Sequence, residues 1–380
     1  MNDIPDNRLR TLPMPSADRA FYDAVLAAGF AAFPERRENY ARFRAAGRSE
    51  DIDYLPIRMD IENVSRCNFR CTMCQVSDWP KQIRAADMSF EDFRRLLESQ
   101  HGLIEIKLQG MGEPLLAADD YIRMIEFARS RHLWVRSTVN GSLLHLKENY
   151  KRLIDSDICE IQISIDGASK ETYEAIRRGG KFNRVTRNCK LLNDYARAAG
   201  RMRTRMWVVV QKGNQHELER FPVLAGELGF DRLTLSLDLN DWGQDSWRER
   251  NDPVDVHRRF DVGRARQLVE IGRSQGVETT FWFIDEKYVP GDKAKVCPWP
   301  FERAYISSDM RVVPCCMIAN PEVSEFGDAR DFNAVWFGEA MREFRRDHLA
   351  GRIPAICRTC YGAARVTTTT PAAKAIKASH

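Results

Sequence analysis

No stretch of this 380-residue sequence is apolar for long enough to cross a bilayer. The most apolar early run, AVLAAGFAAF at 24–33, falls well short of the roughly 20 residues a spanning helix needs. It is also a poor signal peptide, because Asp18 and Asp23 precede it and Glu35 follows. A buried helix is the better reading. A strong net charge is missing too. Lys and Arg total 58 against 54 Asp and Glu, a net +4, with bases and acids interspersed. That balance argues against nucleic acid as a partner and leaves small molecules open. Internal repeats are absent, and the only biased tract is the tail TTTTPAAKAIKASH, expected to be disordered over 366–380. Cysteine is scarce outside two places. Eight of the ten lie at 67–74 and 297–360, and only Cys159 and Cys189 stand apart as core candidates. With no export or membrane signal the chain is expected in the cytoplasm, where thiols stay reduced, so clustered cysteines point to metal rather than disulfides.

Residues 1–56 read as a helical lead-in, with turn signals at Pro13 and Pro34. From 57 the pattern becomes strand, loop, helix, six times over, to about 276. The strand candidates are IRMDIENV, IEIKLQG, LWVRSTVNG, CEIQISIDG, RMWVVVQ and RLTLSLDL. The helix after the first strand carries Ser89 and Asp92 as a capping box. Pro222 is expected to kink a later one, and the last helix is expected over 256–276. This alternation argues for an α/β fold with a parallel sheet, whose function gathers at the C-terminal ends of the strands. Those ends read CNFRC, GMGEP, TVNG, SIDG, QKGN and DLND. They bring three cysteines, Glu113, Asn140, Asp166, Asn214 and Asp238 to one face. The barrel region is expected over 57–285. A proline- and cysteine-rich region at 286–365 reads as a small, metal-stapled second domain.

CNFRCTMC holds Cys67, Cys71 and Cys74. Three thiolates on a four-iron cluster leave one iron without a protein ligand, and an open position distinguishes catalytic metal sites from structural ones. A zinc site completed from afar, or a set of buried thiols, does not explain why the group follows the first strand. The CxxxCxxC spacing resembles the signature of radical S-adenosylmethionine (radical SAM) enzymes. The resemblance implies a partial (β/α)6 TIM-like barrel and a 4Fe-4S cluster whose open iron takes the amino and carboxylate groups of S-adenosylmethionine. Cleavage then yields a 5′-deoxyadenosyl radical that abstracts hydrogen from substrate. Further motifs follow in order. MGEP (Met111 to Pro114) resembles the family's GGEP, which assigns Gly112 and Glu113 to the methionine ammonium. TVNG (with Thr138 and Asn140) and SIDG (with Ser164 and Asp166) resemble segments that contact S-adenosylmethionine or substrate. Ser164 and Arg177 are the candidates for its ribose and carboxylate, and Met73 holds the position whose backbone touches adenine. Met111 departs from the family's usual glycine, and Met73 from its frequent aromatic.

Cys297 in CPWPF, Cys315 and Cys316 in VVPCC, and Cys357 and Cys360 in CRTC resemble the C-terminal SPASM or shorter twitch domains of the same family. The resemblance implies one auxiliary 4Fe-4S cluster with no open position, held by Cys297, Cys315, Cys357 and Cys360. Cys316 is left as an alternative ligand, a buried thiol, or a hydrogen-atom donor. Zinc is the bland alternative.

The leading expectation is an oxidoreductase acting on a small polar substrate such as a sugar or aminocyclitol, by dehydrogenation or epimerisation. One reading against it is a peptide-modifying (RiPP) maturase forming a crosslink or thioether. It is disfavoured because residues 1–56 look too short for a leader-binding domain. A reading of another class is a non-catalytic iron–sulfur or zinc protein. Oxidation also needs a proton acceptor, for which Asp238 and Asp241 are candidates and His216 a third. A reducing partner such as flavodoxin or ferredoxin is expected. Residues 1–56 are left to cover the barrel bottom, close the substrate mouth, or mediate dimerisation.

Overall fold

The computed structural model describes residues 11–257, 260–283 and 287–361; the tail expected over 366–380 lies outside the described residues. Twelve strands run in chain order: β1 Arg58–Ile61, β2 Arg70–Cys71, β3 Glu105–Leu108, β4 Trp134–Val139, β5 Glu160–Ser164, β6 Arg177–Arg178, β7 Thr204–Val209, β8 Arg232–Ser236, β9 Glu278–Trp282, β10 Arg303–Ile306, β11 Arg311–Val313 and β12 Gly327–Asp328. Ten form one open sheet in the order β12-β11-β10-β1-β3-β4-β5-β7-β8-β9, while β2 and β6 make a separate antiparallel pair. From β10 to β9 every neighbouring pair is parallel. The six expected strands are β1, β3, β4, β5, β7 and β8. The sheet is extended at both ends by strands that sequence patterning did not assign.

The strands alternate. Met59 and Ile61, Ile106 and Leu108, Val135 and Val139, Ile161 and Ile163, and Leu233 and Leu235 are buried in the main apolar core. The other parity carries Arg58, Asp60, Glu105, Lys107, Arg136, Thr138, Glu160 and Gln162. Successive side chains point to opposite faces, so the outer face packs on helices and the polar face lines the barrel interior. At the floor of that interior Glu105 holds Arg136 (2.8 Å) and Arg58 (3.1 Å), and Glu160 holds Arg205 and Arg232 (3.4 Å each).

The N-terminal helices, α1 Arg19–Ala32 and α2 Pro34–Ala45, cover this floor. Phe21 and Tyr22 pack on Trp134, the first residue of β4, with ring centroids 5.2 and 5.0 Å apart. Arg36 donates to the carbonyl of Arg131 just before β4 (2.8 Å), and Asn39 pairs with both backbone groups of Leu55 just before β1. Of the three roles left open for residues 1–56, the geometry is that of a base plate.

Some local expectations are revised. The last helix of the array starts at Val262, capped by Asp261, rather than at 256. A separate short helix forms at Asp245–Asn251. Pro222 sits in the first turn of the helix Arg220–Glu227, where its missing N–H costs nothing, so it makes no kink. The cysteine-rich region adds its strand β10 to the sheet, in register with β1, Arg58 opposite Arg303. Fully buried Arg345 then pins the following helices, donating to the carbonyls of Pro300 and Trp336 at 2.8 Å each.

Candidate active site

The loop after β1 carries the first three cysteines. Its base is tied by Glu62, which is fully buried. The Glu62 carboxylate accepts from the N–H of Met111 (2.9 Å), the N–H of Ser308 (3.0 Å) and the Arg84 guanidinium (2.7 Å). One side chain thus joins the ends of three neighbouring strands. Cys71 lies on β2 opposite Arg177 of β6, with the Arg177 guanidinium 4.0 Å from its sulfur. The Phe69 N–H points at the Cys67 sulfur, 3.4 Å away. Burial pushes all three thiols up, that of Cys74 to about 12, so they ionise only with a metal to take the charge.

Glu113 is 2 % exposed. Its two oxygens accept from the N–H groups of Asn140 (2.7 Å) and Leu115 (3.3 Å). Burial raises its pKa to about 7, against the pull of those two donors and Arg177. Asn140 in turn donates to Asn68 inside the cysteine loop (2.8 Å) and accepts from Ser142. Asn140 and Asp166 therefore act as scaffold. Asp166 accepts from the Val209 N–H (2.8 Å) and pairs with Arg177 (2.7 Å), both side chains being buried. Asn214 completes that frame by donating to the Asp166 carbonyl. Thr138 bonds to Gln162 (3.0 Å) within the interior, and Ser164 closes β5 half-buried on the same face. The carbonyl of Met73 accepts from the Trp242 indole at 3.4 Å.

The glycines of the MGEP segment have a structural reason. A Cβ on Gly112 would lie 2.4 Å from the Val64 carbonyl and 2.5 Å from that of Arg66, and one on Gly110 would strike Glu62. With no side chain there, the Glu113 N–H reaches the Arg66 carbonyl at 2.9 Å. The glycines bring two loops together, and Glu113 is placed as a result.

In the second group, Cys357 is pushed up by burial and then by the sulfurs of Cys315, Cys297 and Cys360. These four sit together. Cys316 adjoins the same group, raising Cys315 and Cys360, and after burial its own neighbours are Asp60, Lys107, Arg303 and Arg136 of the barrel interior. The Cys297 N–H donates to the Tyr361 hydroxyl at 2.9 Å. Cys159 and Cys189 are buried in the core as expected.

Two of the expected proton acceptors are corrected. Asp241 does not stand free in the interior. It accepts from Arg248, from Thr359 inside the CRTC turn and from the Gly243 N–H (3.0 Å), so it clamps the cysteine-rich segment to the barrel. His216 is a surface residue 3.9 Å from Glu217. Asp238 shares the interior-facing parity of β8 and lies 3.1 Å from the Nδ1 of His257. Sequence reasoning missed His257, which it placed in a helix, and it missed Gln75. Gln75 is 1 % exposed and follows Cys74 directly. It donates to the Ile318 carbonyl (3.2 Å) and accepts from Asn320 (3.2 Å) and Gln244 (3.1 Å), linking the two cysteine regions. Only its adjacency to the motif marks it in the sequence.

The donors fit iron–sulfur clusters. Among the described residues the first group offers three sulfurs with no fourth protein ligand beside them, and the second offers four. Among the described residues no three Cys, His, Asp or Glu converge as a single metal ion requires. A cluster takes each thiolate on a different iron and asks for no such convergence.

Comparison with known proteins agrees. The family described as the Radical SAM superfamily matches residues 63–221, and SPASM, an iron-sulfur cluster-binding domain, matches 297–361. The chain is 26 % identical over 206 residues to mycofactocin maturase MftC of Mycolicibacterium smegmatis, covering 54 % of this chain and 50 % of that one. It is 32 % identical over 187 residues to the GTP 3',8-cyclase of Pseudomonas putida, covering 48 % and 52 %. The chain spans about half the length of the curated relatives it matches. Among solved structures, Streptococcus suis SuiB bound to precursor peptide SuiA aligns with a TM-score of 0.59 at 15 % identity, over 81 % of this chain and 69 % of that one, a likeness of fold. Among the described residues no helix is long and apolar enough to cross a membrane. The maturase relatives overturn the expectation of a small sugar-like substrate.

Proposed function

This chain belongs to the radical SAM superfamily and carries a SPASM domain, and from that premise we propose that it is a peptide maturase. Its radical SAM domain binds a 4Fe-4S cluster and S-adenosylmethionine, and its SPASM domain binds auxiliary iron–sulfur. When bound, these groups supply a hydrogen-abstracting 5′-deoxyadenosyl radical and an acceptor for the electron left on substrate. The observation that carries the reading is the similarity to a maturase over 206 residues of this chain.

In this reading Cys67, Cys71 and Cys74 hold the first cluster, and Cys297, Cys315, Cys357 and Cys360 hold the second. Glu113 receives the methionine ammonium, its ionised form stabilised by that cation. Gly112 and Asn140 keep Glu113 in place. Arg177, held by Asp166, faces the carboxylate of S-adenosylmethionine. Thr138, Ser164 and Met73 line the same cavity. Asp238, paired with His257, takes the proton that leaves as the peptide carbon is oxidised. Cys316 presents its thiol to the interior beside the second cluster. A cytoplasmic setting suits all seven ligand thiols.

The test uses the reconstituted full chain with S-adenosylmethionine, reductant and a panel of isotopically labelled precursor peptides. Peptide-dependent transfer of deuterium into 5′-deoxyadenosine, with a matching mass loss on the peptide, is the expected result. Formation of 5′-deoxyadenosine with no peptide ever altered would overturn the substrate class and leave the family membership untouched.

A further inference from the structure

The interior face of β1 carries a second buried carboxylate, two residues before Glu62. Asp60 is 6 % exposed, and its neighbours in register are Lys107 on β3 and Tyr305 on β10. Asp60 and Lys107 have opposite charges and stand side by side on one face, yet no ion pair joins them. Among the described residues neither side chain makes a hydrogen bond or an ion pair. The arginines nearby are already engaged, Arg136 by Glu105 at 2.8 Å and Arg303 by Glu302 at 3.0 Å. Burial pushes the Asp60 carboxyl up, against the pull of Lys107, Arg136 and Arg303. Solvent reaches this layer of the interior. The Arg136 side chain keeps 31 % of its surface exposed although β4 lies in the middle of the sheet, and Lys107 and Cys316 are half-buried. Cys316 adjoins Asp60, and Glu62 just past β1 ties the base of the first cysteine loop. The unpaired charges therefore stand between the two cysteine regions.

We propose that Asp60 and Lys107 form a subsite that holds the side-chain amide of an asparagine or glutamine in the substrate peptide. The inference rests on the peptide reading given above. A buried carboxylate needs donors and an ammonium needs acceptors, and leaving either without a partner is costly. A primary amide offers both, on two atoms set apart. Its N–H groups donate to Asp60, and its oxygen accepts from Lys107. A hydroxyl offers a single atom for both partners. A substrate carboxylate would meet Asp60 as a like charge, and an ammonium or guanidinium would meet Lys107 in the same way. An apolar side chain would strip water from both groups and replace none of their hydrogen bonds. Sites built to hydrogen-bond a substrate group reject analogues that lack it far better than apolar pockets reject a missing methylene.

The experiment titrates four probes by NMR onto the reconstituted full chain with S-adenosylmethionine bound. They are the N-acetyl N-methylamides of glutamine, leucine, glutamate and lysine, which share a backbone and differ only in side chain. The glutamine probe is expected to bind roughly tenfold tighter than the other three. Asp60→Asn puts a donor where only an acceptor stood, so the glutamate probe is expected to overtake the glutamine probe. Lys107→Met should weaken the glutamine probe roughly tenfold and leave the leucine probe unchanged. A merely structural role would move all four probes together. Four equal affinities in the wild type, or the same order in Asp60→Asn as in the wild type, would overturn the proposal. A second arm offers the enzyme a random peptide library and sequences the altered peptides. An asparagine or glutamine within a few residues of the altered position is the expected result. Altered peptides without either would overturn the subsite and leave the maturase reading standing. Selective binding of the glutamine probe with no peptide altered would do the reverse, sustaining the subsite and ending the maturase reading.

Discussion

The two cysteine regions share a sheet but are built to opposite plans. At 67–74 the sulfurs sit on a single loop, and the neighbouring positions are occupied by a buried acid, Glu113, and a buried ion pair, Asp166–Arg177. These polar groups are buried beside the cysteine loop and held by backbone N–H groups and by each other. At 297–360 the sulfurs come from three separate segments, and their surroundings are Trp299, Tyr305, Phe301, Ile353 and Tyr361. An apolar wrapping with four thiols suits a closed group that exchanges electrons. Three thiols beside a buried carboxylate suit a site that receives a charged ligand. The difference lies in which groups burial leaves uncompensated.

The largest effect separates the two regions outright. Cys71→Ala should abolish 5′-deoxyadenosine formation, while Cys357→Ala should keep S-adenosylmethionine cleavage and lose peptide product. Each should lower iron from about eight per chain to about four, by elemental analysis, if each group holds one four-iron cluster.

The second break is in acid response, and the signs are opposite. Glu113 titrates near 7 in the folded metal-free chain, against 4.5 for the unassisted group. The folded state therefore holds the extra proton between those values, and metal-free stability rises as pH falls from about 7 to 4.5, by about 3 kcal/mol in all. His348, buried between Phe344 and Tyr361, is held down to about 4 from 6.5 by burial. It contributes stability above 6.5 that is lost as pH falls through 4, again by about 3 kcal/mol. Between pH 4.5 and 6.5 the two contributions oppose and nearly cancel, so denaturant titrations should show Glu113→Gln unmask a rise in stability with pH and His348→Gln unmask a fall. The same Glu113 titration predicts tighter S-adenosylmethionine binding as pH rises through 7, measured by calorimetry, with that dependence absent in Glu113→Gln.

A smaller effect tests what joins the regions. Gln75→Ala leaves the partners of a buried amide unsatisfied and should cost roughly 1–3 kcal/mol of stability. It should also raise the ratio of 5′-deoxyadenosine to altered peptide, because the two cysteine regions lose a shared anchor. An unchanged ratio would make Gln75 a packing residue only.

Much of this was legible before any coordinates. The parity of β1 to β8, the six strand–helix units and the order of the motifs at the strand ends follow from local chemistry, and CxxxCxxC places three thiols on one loop whatever lies around it. Three things were not legible. The region after 285 reads as a small second domain, and its strand β10 pairs with β1, a contact between residues 245 positions apart that no periodicity announces. Asp241 and Asp238 look alike in SLDLNDWG, yet one clamps Thr359 and the other faces the interior beside His257. The substrate expectation was overturned by the maturase relatives, since the motifs at the strand ends concern the cofactor and not the substrate. The short N-terminal segment, counted against a peptide substrate, serves as a floor.

By itself, then, the sequence determined the alternating faces, the cysteine loop and the kind of cofactor, since each depends on spacings of a few residues that covalent geometry sets. Tertiary structure alone decided that Cys297, Cys315 and Cys316 pack against one apolar cluster, with Cys316 also beside the charged groups of the barrel interior. It also decided that Gly112 is needed by the backbone of another loop. Adjacent residues differ there because burial and charge come from whatever segment packs against them, and that is settled only when distant parts of the chain meet.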